Sequence, residues 1–190
     1  SLKCAQELSD AHVDVMGYAC LVAIMSMGRG YHCVSEVNLH QETVANDFPT
    51  PIVTSAGALI NGLKVLGAKQ ISIITPYMRP LTDMVVDYIE NQGIKVKQSI
   101  ALEIPDNLEV AAQNPMNLLE IYKQLDLTDV DVLVASACVQ MPSLEAIDLI
   151  QAECGIPVTS AAVCTTYEMM KKIGIEAKSA IGGELLNGKY

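Results

Sequence analysis

The chain has 190 residues, 51% hydrophobic and 18% charged, with a formal net charge of −10. That balance excludes a disordered polypeptide and supplies enough apolar surface for a core, while the acidic charge and the lack of a basic cluster argue against a nucleic-acid partner. No apolar run approaches the roughly 18 residues of a spanning helix and no signal-peptide pattern opens the chain, so a cytoplasmic location with no membrane partner is expected.

The opening stretch, SLKCAQELSDAHVD, is polar and runs directly into a helical pattern, which gives the expectation that a leading strand and helix are missing ahead of Ser1. VDVMGYA (13–19) reads as the first strand and runs into Cys20. The glycine-rich SMGRGYHC (26–33) predicts a mobile loop beside that cysteine. PIVTS (51–55) predicts a strand, followed by the helical SAGALINGLKVLG, which stops at Gly67. QISIIT (70–75) is the next strand, and ITPYMRP sets Tyr77 at its end, bracketed by Pro76 and Pro80. A helix over RPLTDMVVDYIENQG ends at Gly93 and is followed by the strand IKVKQSIAL (94–102). In IPDNLEVA, Asn107 stands ahead of a short helix, where its ordinary role is a helix cap. VDVLVAS (130–136) leads to Cys138, SLEAIDLIQAECG ends at Gly155, and IPVTSA (156–161) opens a last helix stopped by Gly174. Glycine just past a helical pattern is the usual C-terminal stop.

Strands that read as continuous apolar runs indicate a buried parallel sheet, and their alternation with helices makes the class α/β. The order also repeats. Val-Asp-Val, an apolar stretch and Ala-Cys occur at 13–20 and again at 130–138, and each is followed by Val-Thr-Ser-Ala, at 53–56 and 158–161. Two matches in the same order predict a duplicated chain whose similar halves place equivalent strand ends across one cleft.

Six cysteines without a secretion signal read as free thiols, and no C-x-x-C or metal-ligand spacing accompanies them. Cys20 and Cys138 each follow a strand, where α/β sheets bind ligands, and a nearby helix N-terminus favours the thiolate. A single such cysteine is ordinarily a small buried hydrophobe; the duplication selects these two as chemical. Cys4, Cys33, Cys154 and Cys164 lack that symmetry and are assigned to packing. Tyr77 is open between hydrogen-bond donor to an anion and half-buried packing residue. His12, His32 and His40 show no nucleophile–base spacing.

On YACLVAIM, ASACVQMPS, ITPYMRP, IPDNLEVA and GGELLNGKY, in that family's order, the whole chain resembles the maleate cis–trans isomerases of the aspartate/glutamate racemase superfamily. The resemblance implies two pseudo-symmetric, Rossmann-like or flavodoxin-like halves, residues 1–70 with about 162–190 and residues 71–161, with the active site between them. It implies isomerisation of maleate to fumarate, with Cys20 as nucleophile and Cys138 as acid/base partner or proton donor. Tyr77, Asn107, Leu21, Val22 and Val139 would contact the small dicarboxylate substrate. No cofactor or metal is implied, and a homodimer is. Family members open with a strand and a Pro-x-x-Asn-type loop that this chain does not contain. Leu21 and Val139 stand where related racemases carry Thr after each cysteine, and Cys20 departs from the arylmalonate decarboxylases, which keep only the second cysteine. The alternatives are a cofactor-independent amino-acid or hydantoin racemase using both thiols, and a dicarboxylate-binding protein without chemistry.

Overall fold

The six apolar runs form six strands, all parallel, in a computed structural model that describes residues 1–190. The first elements are α1 (Leu2–Ser9), β1 (Met16–Tyr18), α2 (Leu21–Met25), α3 (Tyr31–Ala45), β2 (Ile52–Thr54) and α4 (Ser55–Val65). There follow β3 (Gln70–Thr75), α5 (Arg79–Glu90), β4 (Lys95–Ala101), α6 (Asn107–Ala111) and α7 (Leu118–Ile121). β5 (Val132–Ser136), α8 (Leu144–Cys154), β6 (Val158–Ser160) and α9 (Ala161–Lys172) complete the chain, with single 3-10 turns at Pro115–Asn117, Tyr122–Gln124 and Glu184–Leu186. No helix is long and apolar enough to cross a membrane.

β1 and β2 make one two-stranded sheet, and a second sheet runs in the order β4-β3-β5-β6. Every residue of β5 and β6 is buried, as is all of β3 after Gln70. Helices cover both faces of these strands, so even their polar residues, such as Ser72 and Thr75, are buried. β4 is an edge strand with no fully buried residue, and its Lys95 and Lys97 discourage pairing with another chain. Gly67, Gly93, Gly155 and Gly174 all adopt left-handed φ between 72° and 82°, as helix-stopping glycines do.

The duplication is present in three dimensions, in a register the letters do not show. Tyr18 pairs with Thr54, whose hydroxyl accepts the Gly57 N–H and caps α4. Ser136 pairs with Ser160, whose hydroxyl accepts the Val163 N–H and caps α9. Thr54 is thus equivalent to Ser160 rather than to Thr159, one residue off the Val-Thr-Ser-Ala match. The second cysteine strand is one residue longer, and the β5–β6 ladder absorbs the extra residue as an irregularity between Val134 and Ser136. Counted from the strand residue opposite each cap, Cys20 and Cys138 then stand at the same position, two residues on.

One core of 39 buried residues runs from α2 and α4 to α8 and α9, and a small cluster of Ala5, Met16, Leu39 and Ile52 lies under α1 and α3. The two capped helices pack on each other so closely that a Cβ at Gly62 would stand 2.6 Å from Cys164 Sγ. Cys164 is fully buried, and burial pushes its thiol up to about 12.

Between α3 and α5, elements that cover different sheets, the Tyr88 hydroxyl accepts the His32 N–H at 3.1 Å and lies 2.6 Å from His32 Nδ1. Arg29 forms a two-pronged ion pair with Asp87 of α5. The expected mobile loop is therefore shorter than its sequence implied: Tyr31, His32 and Cys33 form the first turn of α3, and Arg29 ties the remaining turn to α5.

Candidate active site

Three side chains singled out in the sequence leave the sheets at one level. Cys20, Tyr77 and Cys138 each lie two residues beyond the end of a strand, β1, β3 and β5 respectively. Asn107 arrives from β4 by a longer loop folded back onto the one after β3, with Leu102 N–H on Thr75 O and Ile104 N–H on Pro76 O. The four meet around a cavity of about 130 Å³, the remainder of whose wall is Ala19, Leu21, Val22, Val110, Val139 and Gln140. All seven site residues named from the sequence border this one space.

The two thiols have different surroundings. Cys20 is exposed and occupies the N-cap position of α2, with extended backbone (φ −125°, ψ 93°) and no side-chain cap bond. Leu21 and Val22 follow in the first helical turn, where backbone N–H groups have no acceptor within the helix. Cys138 is buried, 7% exposed. It does not stand at a helix N-terminus, as its counterpart does: five loop residues separate it from α8, whose N-cap is Ser143. Pro142 lies in that gap and disfavours helical backbone at the residue before it.

Cys138 is instead held by its own turn. Ser136 Oγ donates to the Cys138 carbonyl at 2.8 Å and accepts the Cys138 N–H at 3.3 Å. Ahead of it the Ala137 N–H reaches Ile74 O at 2.9 Å, and Tyr77 donates its phenolic hydrogen to Ala137 O at 3.1 Å. Burial first, and then the charges of Cys138 and Cys20, raise the Tyr77 phenol far above its ordinary range. It is a neutral donor throughout the working pH range.

The helix-cap role open to Asn107 belongs to its neighbour. Asp106 Oδ1 accepts the Leu108 and Glu109 N–H groups, leaving the Asn107 amide uncommitted at the rim of the cavity. Gln140, which sequence reasoning did not single out, donates from Nε2 to Asn107 O at 2.8 Å and ties the start of α6 to the Cys138 loop. Its signal was its place two residues after a duplicated cysteine.

Cys20 also borders a wider groove of about 480 Å³ toward α1, with Cys4, Leu8, Met16 and Leu39 in its wall. That groove is mostly apolar, with Ser1 and Tyr18 as its hydroxyl side chains, so it would desolvate an anion with few compensating donors. The smaller cavity has two thiols, a phenol, a free amide and unpaired backbone N–H groups, a set suited to a compact anion and to thiol addition or proton transfer at carbon.

A match to the family described as arylmalonate decarboxylase covers residues 2–186. A maleate isomerase of Geobacillus stearothermophilus is 54% identical over 188 residues, 99% of this chain and 75% of that protein. The maleate isomerase Iso of Pseudomonas putida S16, solved as a cysteine-to-alanine variant with maleate, superposes with a TM-score of 0.98 at 57% identity, over 100% of this chain and 76% of that one. A cysteine-to-serine variant of the Nocardia farcinica maleate cis–trans isomerase, solved with a covalently bound succinylcysteine intermediate, superposes with a TM-score of 0.95 at 37% identity, over 100% of this chain and 77% of that one.

Proposed function

This chain belongs to the maleate isomerases of the arylmalonate decarboxylase family, and from that membership we propose how its own residues convert maleate to fumarate. A carbon–carbon double bond does not rotate at a useful rate, so it must become single for a time. Cys20 supplies that step: its thiolate adds to one alkene carbon, and the π electrons move to the neighbouring carbon and its carboxylate. Once Cys138 has given that neighbouring carbon a proton, the adduct is a succinyl-cysteine whose central bond is single and turns, and the proton then returns to Cys138. Re-forming the double bond expels the Cys20 thiolate and leaves fumarate. The succinylcysteine intermediate of the Nocardia relative supports this covalent route.

The obstacle is electrostatic, because maleate is a dianion and thiolate addition pushes more negative charge onto one carboxylate. The remedy is a set of donors aimed at that charge in place of water. On the Cys20 side these are the N–H groups of Leu21 and Val22; on the other they are Val139 N–H, the Asn107 amide and the Tyr77 hydroxyl, whose single hydrogen turns from Ala137 O to the substrate when it binds. Two thiolates beside a dianion would repel strongly, so one thiol stays protonated when substrate binds. We assign the attack to Cys20, the exposed cysteine at the start of α2. Cys138 keeps its proton and faces the intermediate as acid/base partner. We assign residues 1–70 with about 162–190 to one half and 71–161 to the other, a division supported by the contacts of α9 with β1, β2 and α4.

The observation that carries this reading is the convergence of Cys20, Cys138, Tyr77 and Asn107 on one small cavity. Proton NMR of purified protein with maleate tests it: the maleate signal should give way to that of fumarate without added cofactor. In deuterated water, exchange of a carbon-bound proton in an amino acid without isomerisation of maleate would favour the racemase chemistry instead.

A further inference from the structure

We infer that Ser136, which does not touch the cavity, is a positioning residue that aims the Val139 N–H at a substrate carboxylate by holding the Cys138 carbonyl. The inference rests on the isomerase reading of the same cavity.

Ser136 is fully buried at the last position of β5, and both hydrogen bonds of its hydroxyl go to the backbone of Cys138. The Cys138 C=O and the Val139 N–H belong to one planar trans peptide and point in opposite directions. Fixing the carbonyl at 2.8 Å on a group buried behind the loop therefore turns the N–H to the other side. That N–H has no acceptor in the protein, and Val139 forms part of the cavity wall beside Cys138. The Cys138 N–H, in contrast, is spent on Ser136 Oγ and is withdrawn from substrate.

The duplication shows why this device occurs once. The residue equivalent to Ser136 in the first half is Tyr18, by the pairing of each with a helix-capping residue. Tyr18 makes no side-chain bond to Cys20; there α2 begins at once and its first turn orients the N–H groups. After Cys138 no helix starts for five residues. A loop without a helix needs another means of directing its amides, and a serine two residues before the cysteine supplies it.

The experiment compares the wild type with Ser136→Ala and Ser136→Cys. For maleate, kcat should fall about tenfold or more in Ser136→Ala, less than the hundredfold or greater loss of a donor removed outright. KM should change little, and Ser136→Cys, a weaker hydrogen-bonding group, should lie between. A second readout is independent of turnover. In a Cys20→Ala background, the rate of Cys138 alkylation by iodoacetate relative to iodoacetamide reports on anion donors around that thiol. The ratio should drop severalfold with Ser136→Ala and partly recover with Ser136→Cys. An unchanged kcat or an unchanged ratio in a folded Ser136→Ala protein overturns the assignment. If that variant does not fold, Ser136→Cys against wild type decides by the same criteria. A wild type that leaves maleate unchanged defeats the isomerase reading, and the alkylation ratio then still tests Ser136.

Discussion

At the scale of single residues, the two thiols owe their difference to position along otherwise equivalent strand ends. Cys20 is open to the cavity at a helix start, whereas Cys138 is buried in a hydrogen-bonded turn. Their proposed roles can be separated by mass spectrometry during turnover. Cys20→Ala should lose both fumarate formation and the succinyl adduct. Cys138→Ser should retain the adduct on Cys20 while turnover falls, because addition survives and the proton relay does not. An adduct on any other cysteine would refute the nucleophile assignment. Tyr77 is buried, and burial is the leading cause that keeps its phenol neutral, so toward an anion it can only donate. Tyr77→Phe should slow kcat about a hundredfold to a thousandfold with the fold intact. Because its folded pKa is raised, Tyr77 does not titrate near 10, and a loss of activity there should persist unchanged in the phenylalanine variant. Asn107 shows a limit of sequence reading, since Asp106 and Asn107 are both good caps and only the helix's starting point frees one of them.

At the scale of elements, α4 and α9 are the duplicated pair, and their contact reverses an ordinary expectation. Replacing a mid-helix glycine by alanine usually stabilises by about 1 kcal/mol. At Gly62 the added Cβ would meet Cys164 Sγ at 2.6 Å and a Leu185 methyl at 3.2 Å, both within packed core. Gly62→Ala should therefore destabilise by about 1–3 kcal/mol in urea unfolding. Adding Cys164→Ala should recover part of that loss, a coupling that a double-mutant cycle measures. A Gly62→Ala protein as stable as wild type would show that the helices can separate without cost.

At the scale of the whole molecule, the two sheets are joined by helix packing and by the polar contacts of α3 with α5. His32 is buried with Tyr88 against its Nδ1, and burial, with Lys64 assisting and Glu36 opposing, lowers its pKa from the ordinary 6.5. A depressed folded pKa means that the neutral ring stabilises the fold above 6.5, and that this contribution is lost as pH falls below it. The loss is at most about 1.4 kcal/mol per pH unit for one proton. Urea midpoints measured between about pH 7.5 and 5.5 should therefore fall more steeply in wild type than in His32→Gln. Parallel slopes would show that the ring is not a proton-linked element of the fold.

Element types were legible because they are local: six apolar runs, four glycine stops and the order of the repeat all follow from backbone preference and burial of one face. The cysteine pair was legible because duplication marks equivalent strand ends. What the letters could not show depends on pairing between segments far apart in the chain. The repeat aligns one residue away from Val-Thr-Ser-Ala because strand pairing, not identity, sets equivalence. Ser136 and Gln140 are ordinary polar residues until folding brings one behind Cys138 and the other against Asn107. Sequence alone determined which chemical groups this chain carries, since thiol, phenol and amide are fixed by composition. Only tertiary structure decided how each is aimed, because the direction of a hydrogen bond belongs to neither partner until both are in place.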